Sequence, residues 1–342
     1  MSQLDISEKE KYPVLEIKDL QVFFHTKQKP VRAVDGVNLA INFGDSLGLV
    51  GESGCGKSTL GFSILRLLKS NGEIINGSVV VNMNGTRVDL TKLPERQMER
   101  IRGRYVSMIF QAAQDSLNPL QTIRDHLSDT LEAHDIAEED IESKINELLI
   151  DLEIPLSRLD DRPHQFSGGM QQRISIALAL ILDPFLVIAD EPTTALDVLV
   201  QARIIGILKS LKKIHNLSLI FISHDLGVIA DITNKIAVMY AGQIVETGPT
   251  DVVFSNPGHP YTVGLLNAVP NVRKDIETLS SIPGSPPDLK NPPSGCRFHP
   301  RCPKAKKICQ EKFPSFWSPT QDQIVLCHIY DPEYETSPEV KL

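Results

Sequence analysis

A glycine-rich segment near residue 50 has the residue types and the spacing needed to bind a nucleoside triphosphate. Residues 51–59 read GESGCGKST, after an apolar run and before a helix-like segment. Glycines let consecutive backbone N–H groups converge on an anion, and a helix N-terminus favours negative charge. Lys57 would reach the β- and γ-phosphates, and the Ser58 hydroxyl would bind Mg²⁺. The expected nucleotide contacts are Gly51, Ser53, Gly54, Cys55, Gly56, Lys57, Ser58 and Thr59.

The alternative interpretation of this segment is a glycine turn with a surface lysine, and the strand and helix patterns on either side disfavour it. Cys55 fills a variable position of the loop, where a small residue is compatible with phosphate binding. Because helix N-termini lower the pKa of thiols, Cys55 is also a candidate reactive thiol whose alkylation would block nucleotide hydrolysis.

A pair of acidic residues follows the apolar run Leu186-Val187-Ile188-Ala189. A buried strand would deliver Asp190 and Glu191 at its C-terminal end, where α/β folds bind ligands. Asp190 would assist Mg²⁺ through water, and Glu191 would orient or deprotonate the attacking water. Taken alone, the pair could be the polar end of a strand before Pro192. Together with the phosphate-binding loop, the catalytic interpretation is favoured.

Ser167-Gly168-Gly169 precedes a predicted long helix and forms a second N-terminus shaped for phosphate. One nucleotide does not need two such sites from one chain, whereas a second chain supplying this one would account for it. The segment FSGGMQQR, residues 166–173, resembles the signature loop of the ATP-binding cassette (ABC) family, with Phe166 where many members have leucine. The resemblance covers residues 15–249.

This resemblance implies roles for further residues. Phe24 would stack on adenine, and Gln111 would contact Mg²⁺ and sense a membrane subunit. His224 would contact the γ-phosphate and hold the geometry around Glu191, while Asp197 ends the D-loop Thr194-Ala195-Leu196-Asp197. Each residue alone would be unremarkable, so the assignment depends on their order and spacing. Two cassettes are expected to dimerise head-to-tail, with each ATP between one phosphate loop and the partner's signature loop.

Segments beyond these motifs resemble the oligopeptide/dipeptide transporter branch of the family. They are Ser116-Leu117-Asn118-Pro119, the segment PGHPYT at 257–262 and the segment GCRFHPRCP at 295–303. The branch implies an ATPase that energises uptake of peptides, or of nickel or another solute, at the cytoplasmic face of the membrane. Its expected partners are a second homologous ATPase subunit, two permease subunits and an extracytoplasmic binding protein. Ala112 and Ala113 depart from the usual residues after Gln111 and could alter the permease contact.

The tail contains four cysteines spaced Cys-x5-Cys-x6-Cys-x17-Cys: Cys296, Cys302, Cys309 and Cys327. Four thiolates can hold Zn²⁺ or a [4Fe–4S] cluster. Structural zinc sites generally use pairs separated by about two to four residues, so the wide spacing and the branch resemblance favour iron–sulfur. Zinc and unligated thiols are the alternatives, and His299 and His328 are rival ligands.

Strand and helix patterns alternate as in a mainly parallel α/β sheet, and the resemblance to the ABC family implies a P-loop NTPase cassette with a RecA-like core and a helical subdomain. Residues 1–95 and 164–255 are expected to form the nucleotide-binding core, 96–163 an inserted helical subdomain, and 256–342 a Pro- and Cys-rich extension. Strands are expected over 14–24, 37–41, 77–81, 104–111, 186–189, 217–222 and 236–239, and helices over 60–68, 123–131, 141–152, 170–182 and 198–214.

Charge and hydropathy exclude other classes of protein. The net charge of −8 disfavours nucleic-acid binding, which usually requires a basic face. No apolar run is long enough for a membrane span, and residues 1–11 are polar, so a cytoplasmic location is expected. A soluble ABC ATPase of DNA repair or ribosomes usually has a coiled coil or two cassettes, and neither pattern occurs here. A nucleotide-binding regulator without turnover is disfavoured by Glu191 and His224.

Overall fold

The computed structural model describes residues 12–111, 117–194, 196–268 and 282–340. The strands are β1 Leu15–Phe24, β2 Val31–Ile41, β3 Ser46–Val50, β4 Gly72–Met83, β5 Thr86–Asp89, β6 Val106–Ile109, β7 Leu186–Asp190, β8 Ser218–Ile222, β9 Lys235–Tyr240, β10 Gln243–Pro249, β11 Phe316–Thr320 and β12 Gln323–Leu326. The α-helices are α1 Lys57–Ile64, α2 Glu95–Ile101, α3 Ile123–Glu132, α4 Glu138–Asp151, α5 Gly168–Leu180, α6 Val198–Ile214, α7 Leu226–Ile232, α8 Thr250–Ser255, α9 Pro260–Asn267, α10 Lys307–Glu311 and α11 Pro332–Thr336. The chain divides into two compact units. The first comprises the described residues of 1–15, 40–46 and 80–222, and the second those of 16–39, 47–79 and 223–342.

Three parallel strands form the centre of the first unit. Strand β7 pairs with β6 on one side and β8 on the other, so that Ala189 lies opposite both Ile109 and Phe221. Every residue of the three strands is buried, as expected for parallel strands covered on both faces. The shared register brings the carboxyl ends of β6 and β7 to the same edge of the sheet.

Side-chain hydrogen bonds cap and connect the helices of the first unit. Helix α3 starts with a capping box, because the Thr122 hydroxyl accepts from the Asp125 N–H and the Asp125 carboxylate accepts from the Thr122 N–H. Glu153, just after α4, accepts hydrogen bonds from Arg173 of α5 at 3.2 Å and from Arg203 of α6 at 2.6 Å. This carboxylate therefore connects three helices of the unit.

The second unit contains β3 beside β9, followed by β10, β12 and β11. Strand β3 is parallel to β9, with Val50 opposite Val238, and β9 is antiparallel to β10. Strand β12 lies antiparallel to β10, with Val325 opposite Glu246. The proline-rich tail thus contributes two strands to the same sheet as the strand that precedes the phosphate-binding loop.

The predicted strands and helices are confirmed, with shifted ends. The predicted strand 77–81 is the middle of the longer β4, and the predicted strand 104–111 shortens to β6. Strands β5, β10, β11 and β12 were not predicted, because these short strands lack a long apolar pattern. Within the described ranges, no helix is both long and apolar enough to cross a membrane.

A histidine is buried at the start of α9. His259 is 1% exposed, and its Nδ1 accepts a hydrogen bond from the Tyr261 N–H at 3.0 Å, so the neutral ring caps the helix. Burial lowers the pKa of His259 from 6.5 to about 3. The folded protein therefore keeps this ring neutral at pH values where the unfolded chain protonates it.

We expect the free energy of unfolding to fall between pH 6.5 and 3, because there the unfolded chain binds a proton that folded His259 excludes. The loss contributed by this residue approaches about 1.4 kcal/mol per pH unit. His259→Asn keeps a capping side chain that does not titrate, so urea unfolding at pH 7 and pH 5 should show a smaller pH dependence than in the parent. His25→Asn, at an exposed histidine, serves as the control. An equal pH dependence in parent and His259→Asn would contradict the assignment.

Candidate nucleotide site

The phosphate-binding loop of the second unit follows the buried strand β3 and ends where α1 begins at Lys57. Gly51 and Gly56 have φ values of 149° and 110°, which disfavour residues with a side chain. A Cβ at either position would lie 2.1 Å from a backbone carbonyl oxygen, that of Met239 for Gly51 and that of Ala33 for Gly56. Glycine is therefore required at both ends of the loop by close backbone packing.

The lysine of the motif lies inside the loop. Lys57 is 6% exposed, and its ammonium donates to the carbonyl oxygens of Gly51 at 2.8 Å and Glu52 at 3.1 Å. Ser53 and Gly54 are exposed at the tip of the loop, and Ser58 and Thr59 lie half-buried in the first turn of α1. This arrangement places a buried positive charge at a helix N-terminus, which suits a polyphosphate.

The expectation of a lowered pKa at Cys55 is wrong. Cys55 is 4% exposed, and burial raises the pKa of its thiol even though the Lys57 ammonium, 3.8 Å from Sγ, acts in the opposite direction. The cysteine side chain points into the protein, so the helix N-terminus does not offset its loss of hydration. Cys55 is accordingly a buried, protonated thiol at neutral pH.

Three groups from distant parts of the sequence hold the outer side of the loop. The Glu52 N–H donates to the Tyr261 hydroxyl at 2.8 Å, and the Gly242 N–H donates to the Cys55 carbonyl at 2.9 Å. The Glu52 carboxylate pairs with Arg301 through two hydrogen bonds of 2.7 and 2.9 Å. Neither Tyr261 nor Arg301 was predicted as a site residue. The available signal was the placement of Arg301 inside the segment CRFHPRC at 296–302.

His224 and Phe24 also lie in the second unit. The Ser223 N–H donates to the carbonyl of Leu49 in β3 at 3.4 Å, so the loop carrying the exposed His224 lies at the strand that precedes the phosphate-binding loop. Asp225 caps α7 by accepting from two N–H groups of its first turn. Phe24 ends β1 half-buried, with its ring 2.7 Å from the position of a Cβ at Gly72.

The first unit brings together Gln111 and Glu191. Glu191 Oε2 accepts hydrogen bonds from the Thr194 hydroxyl at 2.9 Å and from the Gln111 amide at 3.4 Å. The Glu191 backbone has a φ of 45°, an uncommon value for glutamate, and its N–H donates to the Ile222 carbonyl at 3.0 Å. Asp190 is the last residue of β7 and is 2% exposed. The carboxylates predicted from the sequence are therefore at the carboxyl edge of the sheet.

The signature segment of the first unit presents a helix N-terminus at the surface. Ser167 and Gly168 are exposed, and the Ser167 side chain does not cap α5. A Cβ at Gly169 would lie 2.5 Å from the Val200 side chain, and Asp197 caps α6 through the N–H groups of Leu199 and Val200. The starts of α5 and α6 are thus in contact. The predictions for Ala112, Ala113, Ser116 and Ala195 fall outside the described residues.

The four tail cysteines are free thiols, half-buried at Cys296 and buried at the other three positions. Burial raises the pKa of Cys296 and Cys327 to about 12 and that of Cys302 to about 11. The charges of the other three cysteines further raise the pKa of Cys327. Among the residues that the structure describes, no three His, Cys, Asp or Glu side chains are grouped so as to hold a metal ion.

Two family models match the chain. The model described as "ABC transporter" matches residues 34–194, and the model described as "Oligopeptide/dipeptide transporter, C-terminal region" matches residues 245–309. The second match spans the end of the cassette and three of the four tail cysteines.

Relatives and solved structures resemble the chain over most of its length. It is 41% identical over 321 residues to the dipeptide transport ATP-binding protein DppD of Caldanaerobacter subterraneus, covering 93% of this chain and 97% of the relative. It is 44% identical over 304 residues to the oligopeptide transport ATP-binding protein OppD of Escherichia coli, covering 88% and 89%. The dimeric structure of the bacterial ABC transporter cassette MJ0796 matches with a TM-score of 0.61 and 27% identity, over 69% of this chain and 98% of that one. A post-hydrolysis dimer of the same cassette, bound to ADP and Pi, matches with a TM-score of 0.60 and 26% identity, over the same shares. With these similarities added to the glycine loop, the acidic strand end and the exposed signature helix, the chain belongs to the ABC transporter family of ATPases and has its α/β P-loop cassette fold.

Proposed function

We propose that the chain is the ATP-hydrolysing subunit of an importer that takes up oligopeptides or dipeptides across the cytoplasmic membrane. The support is the 41–44% identity to dipeptide and oligopeptide transport ATP-binding proteins, together with the match of residues 245–309 to the C-terminal region of that branch. The same subunit could serve nickel or another small solute, because selectivity resides in other components.

The observation that carries the enzymatic part of the proposal is the oriented carboxylate of Glu191. Hydrogen bonds from Thr194 and Gln111 orient the carboxylate, and an oriented carboxylate can act as a general base toward water. Lys57 would neutralise the β- and γ-phosphates as they gain charge in the transition state. The Ser58 hydroxyl would supply one of the oxygen ligands that Mg²⁺ prefers, and the ion would stabilise the charge on the phosphate oxygens.

The exposed N-terminus of α5 supports a requirement for two ATPase subunits. Ser167 and Gly168 face solvent and could bind the γ-phosphate held by a partner subunit's loop, with Asp197 near that interface. The solved relative MJ0796 is dimeric. We propose that the partner is a second homologous ATPase and that the pair acts at the cytoplasmic face beneath two permeases fed by a binding protein. His224 would contact the γ-phosphate, and Phe24 would stack on adenine.

We also propose that the four tail cysteines hold a [4Fe–4S] cluster, with Zn²⁺ as the alternative. Thiols suit either group, and the Cys296 N–H donates to the Cys309 carbonyl at 2.8 Å, so these two cysteines are neighbours in the folded tail. They are not grouped at ligand positions in this structure. The bound group would cross-link the tail and stabilise its fold.

Glu191→Gln should preserve ATP binding and lower turnover by about 10²- to 10⁴-fold, because the amide cannot accept the proton of the attacking water. Binding is measured with a fluorescent ATP analogue and turnover by phosphate release, with the partner ATPase carrying the matching substitution. Glu142→Gln, an exposed carboxylate of α4, is the control and should behave like the parent. Normal turnover in Glu191→Gln would remove this residue from the proposed role.

Proteoliposomes containing the complete importer should accumulate labelled di- or oligopeptides only when ATP is present on the side of this subunit. Glu191→Gln should abolish this uptake in parallel with hydrolysis, because transport depends on turnover. Nickel and free amino acids are tested in the same vesicles. Uptake of nickel without peptides would replace the peptide assignment with the metal alternative.

Protein purified without oxygen should carry about four iron atoms per chain and a visible charge-transfer absorption. Cys309→Ser should lose most of the iron, whereas Cys55→Ser, a buried thiol outside the tail, should retain it. Elemental analysis and absorption spectra measure both. Stoichiometric zinc without iron would favour the alternative, and neither metal would contradict the proposal.

A further inference from the structure

An arginine of the tail makes a bidentate ion pair with the phosphate-binding loop. Arg301 Nη1 lies 2.7 Å from Glu52 Oε2, and Nη2 lies 2.9 Å from Glu52 Oε1. Both residues belong to the second unit, although 249 positions separate them in the sequence. Two parallel charge-assisted hydrogen bonds fix the orientation as well as the distance of the two side chains.

The guanidinium of Arg301 is itself held in place. Its Nε donates to the Pro283 carbonyl at 2.7 Å, and Nη1 also donates to the Tyr240 hydroxyl at 3.3 Å. Arg301 is only 6% exposed. With its donors engaged and its charge shielded from water, the side chain cannot follow Glu52 if the loop moves, so it acts as a fixed support.

Glu52 contacts the phosphate-binding lysine as well as Arg301. The Glu52 carbonyl accepts a hydrogen bond from Lys57 Nζ at 3.1 Å, and the Glu52 N–H donates to the Tyr261 hydroxyl at 2.8 Å. The same residue therefore contacts Arg301 through its carboxylate and Lys57 through its backbone. A shift of Glu52 would move a carbonyl that holds the Lys57 ammonium.

The segment around Arg301 holds the loop at a second point. Arg297 pairs with Asp35 and donates to the carbonyl of Ala241. The next residue in the chain, Gly242, donates its N–H to the Cys55 carbonyl at 2.9 Å. Between the two arginines, Phe298 is 2% exposed and packs on Tyr240 and Tyr261 with ring centroids 5.1 and 5.4 Å apart. The segment 296–302 thus contacts the loop directly through Arg301, whereas Arg297 and Phe298 contact residues that lie beside it or bond to it.

We propose that Arg301 is a positioning residue for ATP binding, which lets the C-terminal extension set the affinity of the phosphate-binding loop through Glu52. The inference rests on the proposed role of the Lys57 loop in holding ATP. Arg301 would preorganise the loop without touching nucleotide, so its loss should weaken binding more than it slows the chemical step. An arginine is needed because lysine cannot make two parallel hydrogen bonds to one carboxylate.

Arg301→Gln should raise the dissociation constant for a fluorescent ATP analogue and the KM for ATP by about 5- to 20-fold, with kcat within about twofold of the parent. Arg301→Lys keeps the positive charge but cannot make the two parallel hydrogen bonds to Glu52. It should therefore show most of the same loss of ATP affinity. Lys312→Gln is the matched control, since it breaks an ion pair with Glu333 in the same extension away from the loop. Unchanged nucleotide affinity in both Arg301 variants would overturn the inference.

A double-substitution cycle separates positioning from general stability. Glu52→Gln removes the same ion pair from the other side, so combining it with Arg301→Gln should add little further loss of ATP affinity. Additive losses, or a lower melting temperature with unchanged affinity, would mean that Arg301 only stabilises the fold. If Arg301→Gln does not fold, Glu52→Gln and Arg301→Lys still measure the pair.

One further variant distinguishes failure of the inference from failure of the proposed function. Lys57→Ala should abolish ATP binding while Arg301 is intact. If Lys57→Ala binds ATP normally, the proposed role of the loop is wrong. If Lys57→Ala loses binding but the Arg301 and Glu52 variants bind like the parent, only the inference about Arg301 is wrong.

Discussion

Close packing of backbone against backbone at Gly51 and Gly56 is the constraint on which the nucleotide site depends. The carbonyl oxygens of Met239 and Ala33 occupy the space that a Cβ would need. In the loop between β3 and α1, the buried Lys57 ammonium donates to the carbonyls of Gly51 and Glu52. The conformation of the loop therefore depends on its contacts with β9 and β2. The tail contacts the same loop through Glu52.

The hydrolytic groups depend on a different constraint, the parallel register of β6 and β7. That register places the ends of the two strands side by side, so a glutamine after one strand reaches a carboxylate after the other. The positive φ of Glu191 then turns its side chain toward Gln111 and Thr194. A small deviation from regular backbone geometry thus orients the group on which water activation depends.

Features set by neighbouring residues could be predicted from the sequence, whereas those set by distant contacts could not. The phosphate-binding loop, the Asp190-Glu191 pair and helices α3 to α6 have local patterns and were predicted correctly in position. The pKa of Cys55 was predicted in the wrong direction, because burial of the thiol outweighs the opposing effect of the Lys57 ammonium. The Arg301–Glu52 pair has no local signature, since it joins two segments through the folded core of one unit.

The antiparallel pairing of β12 with β10 sets how far the polypeptide can be shortened. Gln323 of β12 donates its amide to the carboxylate of Glu246, which is 1% exposed. Removing the last hairpin would leave that anion short of a donor and uncover a row of unpaired peptide groups along β10. Fragments that lack β11 and β12 would therefore tend to associate through the exposed edge of β10. The hairpin of β11 and β12 thus also protects the sheet against aggregation.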